Sequence, residues 1–248
     1  YPRYGNRRIT RELRNRHPKE SPSNHKKVLR VMRESGLLCK QKAKAKPYSP
    51  ASVPSQIPNL LRDENIVVSG PNLVWQADLT YITLGAGFIY LAAILDAFTR
   101  KCIGWALSQK PDQQLTLAAL KMALEGYKSD LEQNQTQPQK LIHHSDQGVQ
   151  YTADAYIDLL LQNHIRPSLS RRGRPTDNAK AESFFKTFKY EEVYLKEYES
   201  IEDAKANIQH FIEQVYNAKR LHSALGYLSP NNFELVYHQD QRLTSAVV

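Results

Sequence analysis

Three acidic residues stand at spacings that suit chemistry on a phosphodiester. Asp146 and Glu182 have 35 residues between them, and Asp78 lies far upstream in the alternating stretch VWQADLTYI. Asp146 follows a short apolar run, as the end of a strand would. Glu182 follows the turn-forming string PTDN, which predicts the start of a helix. Two acids near strand ends and one on a helix can hold divalent cations against a phosphodiester.

The elements that must position these acids follow the order β-β-β-α-β-α-β-α. Three strand-like runs, LVWQADLTYITL, FIYLAAILDAF and KCIGWAL, are joined by short connections that predict two hairpins. Next we expect a helix over about 113–127, a strand at LIHH, a helix at TADAYIDLLLQNH and a strand at IRPSLS. A helix over about 178–193 and a long amphipathic helix at IEDAKANIQHFIEQVYNAK complete the pattern. This order predicts an α/β fold of the ribonuclease-H-like layout, a mixed five-stranded sheet flanked by helices.

In that layout the three acids converge at one edge of the sheet. Asp78 is expected on the central first strand, Asp146 at the end of the fourth strand and Glu182 on the helix after the fifth. Because Mg²⁺ prefers oxygen ligands, we predict that they hold two Mg²⁺ ions, with Mn²⁺ as a substitute. Two such ions can activate a water or a 3′-hydroxyl and stabilise the leaving oxygen. The three acids are therefore the predicted catalytic and metal-binding residues.

Basic charge is concentrated at the start of the chain. Residues 1–50 hold 15 Lys and Arg against 3 Asp and Glu, a net charge of +12, whereas residues 51–248 hold 19 against 22, a net charge of −3. Two short helices are predicted here, the first starting near Thr10 or a neighbour, the second capped by Ser23 or Asn24 and ended by Gly36, and they indicate a helix-turn-helix-like segment. The alternative is a solubilising tail, but the apolar residues of the segment are periodic, which indicates that it can fold. Its predicted DNA-binding residues are Arg7, Arg8, Arg11, Lys26, Lys27 and Arg30.

Composition shifts divide the chain into four parts. We expect a basic DNA-binding segment over 1–46, a Lys-, Pro- and Ser-rich linker over 47–65, a catalytic core with carboxyl-terminal helices over 66–235, and a tail over 236–248. Cys39 and Cys102 are few and far apart, which is typical of free thiols in a reducing cytosol. With no apolar run of membrane-spanning length, we expect a soluble, intracellular protein. The chain lacks an initiator Met, so a fragment of a longer polypeptide is also expected.

Two further groups of cations flank Glu182. Lys186 and Lys189 lie four and seven residues beyond it, on one face of the predicted helix, where they can contact phosphate rather than only face solvent. A Gly- and Pro-containing loop just before the helix could form a flap that grips DNA. Its candidate residues are Arg171, Arg172 and Arg174.

Other polar residues near the acids have simpler interpretations. Asp96 ends the second predicted strand and is expected to be a turn residue. Asp177 is expected to cap the Glu182 helix, and Asn178 either does the same or orients the site. His143 and His144 have no second His or Cys pair at zinc-ligand spacing. His144 is therefore predicted either to contact substrate or to position residues around the acids without contacting substrate.

Several motifs resemble one known family. The islands WQADLTYI, HHSDQGVQY, GRPTDNAKAESFFKTFK and YNAKRLHSALGYLSPNNF are similar, in order and spacing, to the integrase-core transposases of bacterial insertion sequences, and more narrowly to their IS-three group. The resemblance runs over about Tyr4–Phe233, because YGNRRIT is similar to the helix-turn-helix of that group. These proteins are relatives of retroviral integrases, which have an Asp, Asp and 35-residue-spaced Glu triad.

The resemblance implies an activity and partners. Asp78, Asp146 and Glu182 would be the metal-binding triad, and the activity would be cleavage and transfer of DNA 3′ ends without a covalent protein–DNA intermediate. Integrase relatives place similar lysines on DNA ends. The implied partners are element ends and target DNA, further copies of the chain on that DNA, and a portion made from an upstream reading frame by frameshifting. The motif residues Tyr216, Asn217, Arg220 and His222 receive no role.

Two alternative functions stay open beside a transposase. A ribonuclease-H-type nuclease would hydrolyse only, and the basic segment and the 35-residue spacing argue against it. A DNA-binding regulator with an inactive core would not need all three acids.

Overall fold

A mixed sheet forms the centre of the catalytic core. The computed structural model describes residues 4–18, 24–38, 57–85, 87–134 and 140–245. Within these ranges the sheet has the order β3-β2-β1-β4-β5, with antiparallel pairs among β1, β2 and β3, and with β4 parallel to β1 and β5 parallel to β4. The strands are β1 Val74–Leu84, β2 Gly87–Asp96, β3 Cys102–Ser108, β4 Ile142–Ser145 and β5 Arg166–Leu169.

Helices precede the sheet and cover both of its faces. They are α1 Asn6–Arg16, α2 His25–Glu34, α3 Leu60–Asp63, α4 Gln113–Asn134, α5 Asp154–Gln162, α6 Ala179–Glu191, α7 Ile201–His210 and α8 Pro230–Ser245. Three antiparallel strands followed by strand–helix alternation confirm the predicted ribonuclease-H-like class. Among the described residues, no helix is both long enough and apolar enough to cross a membrane.

Alternation along β1 separates two cores. Trp75 and Ala77 pack under α4 and α5 with Ile94, whereas Ile82 faces the opposite core, which Phe184 of α6 helps to form. Successive strand side chains point to opposite faces, so residues two apart on β1 share a face. Gln76 and Asp78 are therefore on the face that α6 covers.

The amino-terminal segment forms the two expected short helices. The side chain of Asn24 caps α2 by accepting from the Lys26 N–H at 2.9 Å. Gly36 ends it with a φ of 68°, and the Leu37 N–H donates to the Met32 carbonyl at 2.8 Å. The first helix starts earlier than the predicted position near Thr10, because α1 begins at Asn6.

The last part of the predicted linker over 47–65 is hydrogen-bonded to the catalytic core. The Leu169 N–H of β5 donates to the Pro58 carbonyl at 3.1 Å, and the Leu60 N–H donates to Ser168 Oγ at 3.0 Å. Residues 57–65 therefore lie along the β5 edge of the core, and residues 47–56 are outside the described ranges. Tertiary hydrogen bonds order a stretch whose composition indicates an extended chain.

Three helices differ from the expected bounds or type. The predicted long amphipathic helix is present, but it is α-helical only to His210 and continues as a π-helix over Phe211–Asn217. Helix α4 runs beyond residue 127 to Asn134, and α8 extends into the predicted tail. Helix α8 is tied to the start of β3 by an ion pair between Lys101 and Glu234, 2.7 Å apart. Packing of this kind continues helices past the point where sequence signals stop.

Candidate active site

Asp78 lies on the central strand β1 and faces α6. The Leu79 N–H donates to Asp78 Oδ1 at 2.8 Å. The pKa of Asp78 is raised to about 7, first because the protein excludes water from its carboxyl group and then because the charges of Asp146 and Glu182 oppose its ionisation. The charges of the other two acids predicted from spacing therefore reach Asp78.

Strand pairing brings Asp146 beside Asp78. In the parallel pair of β1 and β4, Gln76 lies opposite His144. Asp78 lies two residues further along β1, and Asp146 follows His144 by two residues, just past the end of β4. Neighbouring strands are about 4.8 Å apart, and the charge of Asp146 raises the pKa of Asp78. Asp146 as a residue is exposed, yet the surrounding chain excludes enough water from its carboxylate to raise its pKa.

A tight turn orients Asp146. The Gly148 N–H donates to Asp146 Oδ1 at 3.0 Å, and this bond opposes the rise in the pKa of Asp146. A Cβ atom at position 148 would stand 3.0 Å from the same oxygen and 3.2 Å from Gln150 Oε1. Sequence reasoning did not assign a role to Gly148, although the Asp-Gln-Gly string is a turn signal that could have indicated it.

Two hydrogen bonds fix the start of helix α6 to β1, four and two residues before Glu182. The Asn178 side-chain amide donates to the Ala77 carbonyl at 2.9 Å, and the Lys180 N–H donates to Gln76 Oε1 at 3.1 Å. Gln76 thus satisfies one of the free N–H groups at the start of α6. Glu182 is exposed in the first turn, and partial loss of water raises its pKa.

Asn178 therefore orients the site, which was one of its two predicted roles. The predicted cap by Asp177 is wrong. Its carboxylate instead accepts from Asn59 at 2.9 Å and from both the backbone and the side chain of Arg171. Gln76 was not found from sequence, although a polar residue two positions before Asp78 on the same strand face was the available signal.

Both histidines of the HHSD string are structural. His143 Nε2 is 2.9 Å from the Tyr156 hydroxyl, and the two ring nitrogens of His144 lie 2.8 Å from Ser168 Oγ and 3.0 Å from Ser170 Oγ. Burial lowers the pKa of His143 to about 3 and that of His144 to about 4. The rejection of zinc is consistent with these bonds. His144 is fully buried. Of its two predicted roles, only the positioning of residues around the acids therefore agrees with the structure.

Tyr151 is a residue near the acids that the sequence did not single out. It is 2% exposed, and its ring packs edge-on against that of Tyr156. Burial raises its pKa, and the charges of Asp78 and Asp146 raise it further. Its hydroxyl has no hydrogen-bond partner among the described residues. A neutral hydroxyl group therefore borders the two carboxylates.

The donor set suits an oxygen-preferring divalent cation. Asp78, Asp146 and Glu182 offer only carboxylate oxygens. Both ring nitrogens of the nearby His144 are hydrogen-bonded to serine hydroxyl groups. Such oxygens are the ligands of Mg²⁺, which is commonly held by one or two carboxylates together with water and substrate phosphate. Within the described ranges, no group of three or more His, Cys, Asp or Glu side chains is close enough to hold a metal ion by itself. The oxygen-only donor set is therefore the observation that favours a divalent cation of this kind.

The predicted lysines differ in their surroundings. Lys189 is partly buried, its amine lies 4.5 Å from the centre of the Tyr81 ring, and its charge lowers the pKa of Asp78. Lys186 is exposed one turn earlier on α6. Lys189 thus lies beside the acids, where a bound phosphate would also be.

The predicted arginine loop is anchored at one end. Arg171 forms a two-bond ion pair with Asp177, with Nε–Oδ2 and Nη2–Oδ1 distances of 2.9 Å. This pair lowers the pKa of Asp177 to about 2. Arg172 and Arg174 are exposed on either side of Gly173, whose φ is 68°. They remain candidates for DNA contact, whereas Arg171 first serves to hold the loop.

Arg8 departs from the other predicted DNA-binding residues of the amino-terminal segment. Its guanidinium lies 3.5 Å from the Glu191 carboxylate of α6, and its pKa is lowered by burial and by the charge of Arg220. Arg8 therefore contacts the catalytic core, and its part in DNA binding stays a prediction. The other five are exposed: Arg7, Arg11, Lys26, Lys27 and Arg30.

Cys102 is a buried free thiol, as expected. Burial raises its pKa above the ordinary value, so it is chemically inert. Cys39 lies outside the described residues.

Acids on neighbouring strands, with a third on a packed helix, define the ribonuclease-H-like class of polynucleotidyl transferases. Comparison with known proteins agrees with this assignment. The integrase core domain family matches residues 68–175, and a second integrase core domain family matches residues 163–230. An HTH-like domain family matches residues 1–45.

Curated relatives define the family more narrowly. The transposase for insertion sequence element IS904 of Lactococcus lactis subsp. lactis is 38% identical over 234 residues, which are 94% of this chain and 87% of the relative. The transposase InsF for insertion sequence IS3A of Escherichia coli is 36% identical over 232 residues, or 94% and 77% of the two chains. The chain belongs to the insertion-sequence transposases with an integrase core domain, which confirms the predicted family.

A more distant likeness is to a solved retroviral enzyme. The HTLV-2 integrase catalytic core domain in complex with magnesium aligns with a TM-score of 0.46 and 12% identity, over 67% of this chain and 98% of that one. The fold assignment rests on the strand order.

Proposed function

We propose that this protein cuts the DNA ends of an insertion element and joins them to target DNA, using Asp78, Asp146 and Glu182 as one active site. The observation that carries the proposal is the parallel pairing of β1 with β4, in which Gln76 lies opposite His144, because Asp78 and Asp146 each follow two residues later. The two bonds from β1 to the start of α6 then hold the first turn, with Glu182, over the same strand.

The three acids would hold Mg²⁺, or Mn²⁺ in its place, as two ions. Bound ions of this kind supply positive charge that activates an attacking oxygen and stabilises the leaving oxygen. Among the protein's own groups, Gly148 keeps Asp146 in position, and Lys189 brings positive charge to Asp78 and to an incoming phosphate. The same site can accept water or a DNA 3′-hydroxyl as the attacking group, so cutting and joining need no covalent protein–DNA intermediate.

DNA would be gripped by exposed cations outside the triad. Lys186, Arg172 and Arg174 are exposed near the site, and the exposed basic residues of α1 and α2 suit a duplex held further away. We propose that the protein acts as a multimer on two element ends in the bacterial cytoplasm. We also propose that a portion encoded in an upstream frame contributes to recognition of those ends.

The test uses DNA that carries the inverted repeats flanking the gene, a target plasmid and Mg²⁺. We expect nicked ends and joined products from the wild-type protein. Glu182→Gln should abolish both, because it removes one anionic ligand and keeps the shape of the side chain. The matched control is Glu197→Gln, at an exposed position after α6. Joining that survives Glu182→Gln would contradict the proposed triad, and nicking without joining would favour a hydrolytic nuclease.

A further inference from the structure

The carboxyl-terminal motif builds a rigid pocket at the end of α6. Arg220 is 4% exposed, and its guanidinium donates two hydrogen bonds of 2.8 Å to the Glu191 carboxylate. A carboxylate at the carboxyl end of a helix is opposed by the helix dipole, so Glu191 depends on nearby cations. Arg220 also packs against His222 and the Tyr216 ring. We call Glu191, Tyr216, Arg220, Leu221 and His222 the socket.

Asn217 fixes the motif to the sheet. Its side-chain oxygen accepts from the Cys102 N–H at 2.9 Å, and its amide donates to the Cys102 carbonyl at 2.9 Å. The side chain thus pairs with the start of β3 as a neighbouring strand would. Both ends of the socket therefore belong to the catalytic core, one through α6 and the other through β3.

The amino-terminal segment fills the socket. Tyr4 is 2% exposed, and its hydroxyl oxygen accepts from the Leu221 N–H at 2.9 Å, a contact between residues 217 positions apart. Arg8 reaches the same Glu191 carboxylate at 3.5 Å, and its guanidinium lies 5.5 Å from the centre of the Tyr4 ring. A ring, a hydroxyl and a cation from the start of the chain thus all meet the socket.

The neutral state of His222 suits this arrangement. Its pKa is lowered to about 3, first by burial and then by the charges of Arg220, Arg8 and Arg100. A charged histidine would add a further cation beside these arginines. His222 therefore contributes shape and not charge to the socket.

We propose that the socket is a receptor that locks the amino-terminal helices to the catalytic core, so that DNA bound by them meets the acids in one fixed placement. Helix α6 links the two places, because Glu182 is in its first turn and Glu191 is its last residue. Nine helical steps separate the two glutamates, which corresponds to roughly 14 Å along the axis. The lock itself is a statement about the free protein, and its effect on DNA rests on the proposed function.

The first experiment measures the lock without DNA. Tyr4→Phe keeps the ring and removes only the oxygen that accepts the Leu221 N–H. In hydrogen exchange of the full chain, we expect the Leu221 amide and the amides of α1 to exchange about tenfold faster, as the loss of one buried hydrogen bond implies. Glu191→Gln should act in the same direction, and Glu197→Gln should leave exchange unchanged.

The second experiment maps nicks on labelled element ends in Mg²⁺. For Tyr4→Phe and Glu191→Gln, we expect DNA affinity to stay within about threefold of wild type, since the exposed cations that bind phosphate are retained. Nicks should spread over neighbouring phosphates, and joining should fall about tenfold, because misplacement of the substrate is costly for catalysis.

Each outcome decides a separate part of the proposal. Unchanged exchange in both variants would overturn the lock. Faster exchange with nicks at the wild-type position and joining at the wild-type rate would overturn the role of the lock in placing DNA. If the wild-type protein cuts nothing, the proposed function fails, and hydrogen exchange still decides whether the lock exists.

Discussion

The Asn178 side chain donates a hydrogen bond to the Ala77 carbonyl at 2.9 Å, across 101 positions of sequence. Ala77 directly precedes Asp78, and Asn178 directly precedes α6. One buried bond therefore sets the distance between the strand that bears the first acid and the helix that bears Glu182.

Replacing this amide should lower both stability and activity. We expect Asn178→Ala to destabilise the protein by about 1–3 kcal/mol, the usual effect of breaking a buried hydrogen bond, and to lower the joining rate at least tenfold, an increase of about 1.4 kcal/mol in the barrier. Asn163→Ala is the matched control, because Asn163 also donates to a carbonyl, that of Leu159, at 2.8 Å. Urea unfolding and strand-joining assays would be compared. Equal loss of activity in both variants would contradict the assigned role of Asn178.

Crowding the Asp146 turn should disturb that carboxylate. Gly148→Ala places a methyl group 3.0 Å from Asp146 Oδ1, so we expect turnover to fall by about ten- to a hundredfold from misplacement of a catalytic group. Gly126→Ala is the control, since nothing stands within 4 Å of a Cβ there. In a helix interior that change should stabilise the fold by up to about 1 kcal/mol. Normal turnover by Gly148→Ala would show that the turn does not position Asp146.

Removing the charge of Lys189 should weaken DNA binding through one phosphate. For Lys189→Gln we expect the slope of log affinity against log salt to decrease by about one, as for the loss of a single phosphate contact. Fluorescence anisotropy across a salt series would measure this. Lys205→Gln, at an exposed position on α7, should keep the wild-type slope. An unchanged slope for Lys189→Gln would mean that its charge serves only Asp78 and the Tyr81 ring.

Acid should destabilise the fold through its buried neutral histidines. Burial lowers the pKa of His143 to about 3, below the value of about 6.5 in an unfolded chain. Between these values the unfolded state binds more protons, so stability is greatest above pH 6.5 or so and falls as pH decreases. The loss is at most about 1.4 kcal/mol per pH unit for each such histidine.

Urea unfolding of wild type and His143→Gln at about pH 7 and about pH 5.5 would test this linkage. We expect the variant to lose less stability between the two conditions, although it starts less stable. His238→Gln, at an exposed position on α8, should keep the wild-type difference. The same pH dependence in all three proteins would contradict a buried neutral His143.

Much of the fold is visible in the sequence because it is specified locally. Alternation over β1, a short connection to β2 and the apolar run before Asp146 each involve residues close in sequence. Asp96 is an example, since its carboxylate accepts from the backbone of Phe98 and Thr99, as expected of a turn residue. Strand order then follows from connection rules that leave few topologies.

Contacts between distant segments escaped prediction. Asp177 has the sequence context of a helix cap, and only the folded chain brings Asn59 beside it. The change from α-helix to π-helix after His210 could not be predicted from the amphipathic pattern, because a π-helical stretch preserves an apolar face. The order of residues 57–65 depends on β5, which lies about a hundred positions later.

The sequence by itself determined the three acids, their order and spacing, and the strand–helix pattern that delivers them. Only the tertiary structure decided that Gln76 and Asn178 hold α6 to β1, and that Arg8 pairs with Glu191 of the catalytic core. The physical reason is that a side chain's partner is set by which segments meet in space. Periodicity and capping signals report only on residues within a few turns of one another.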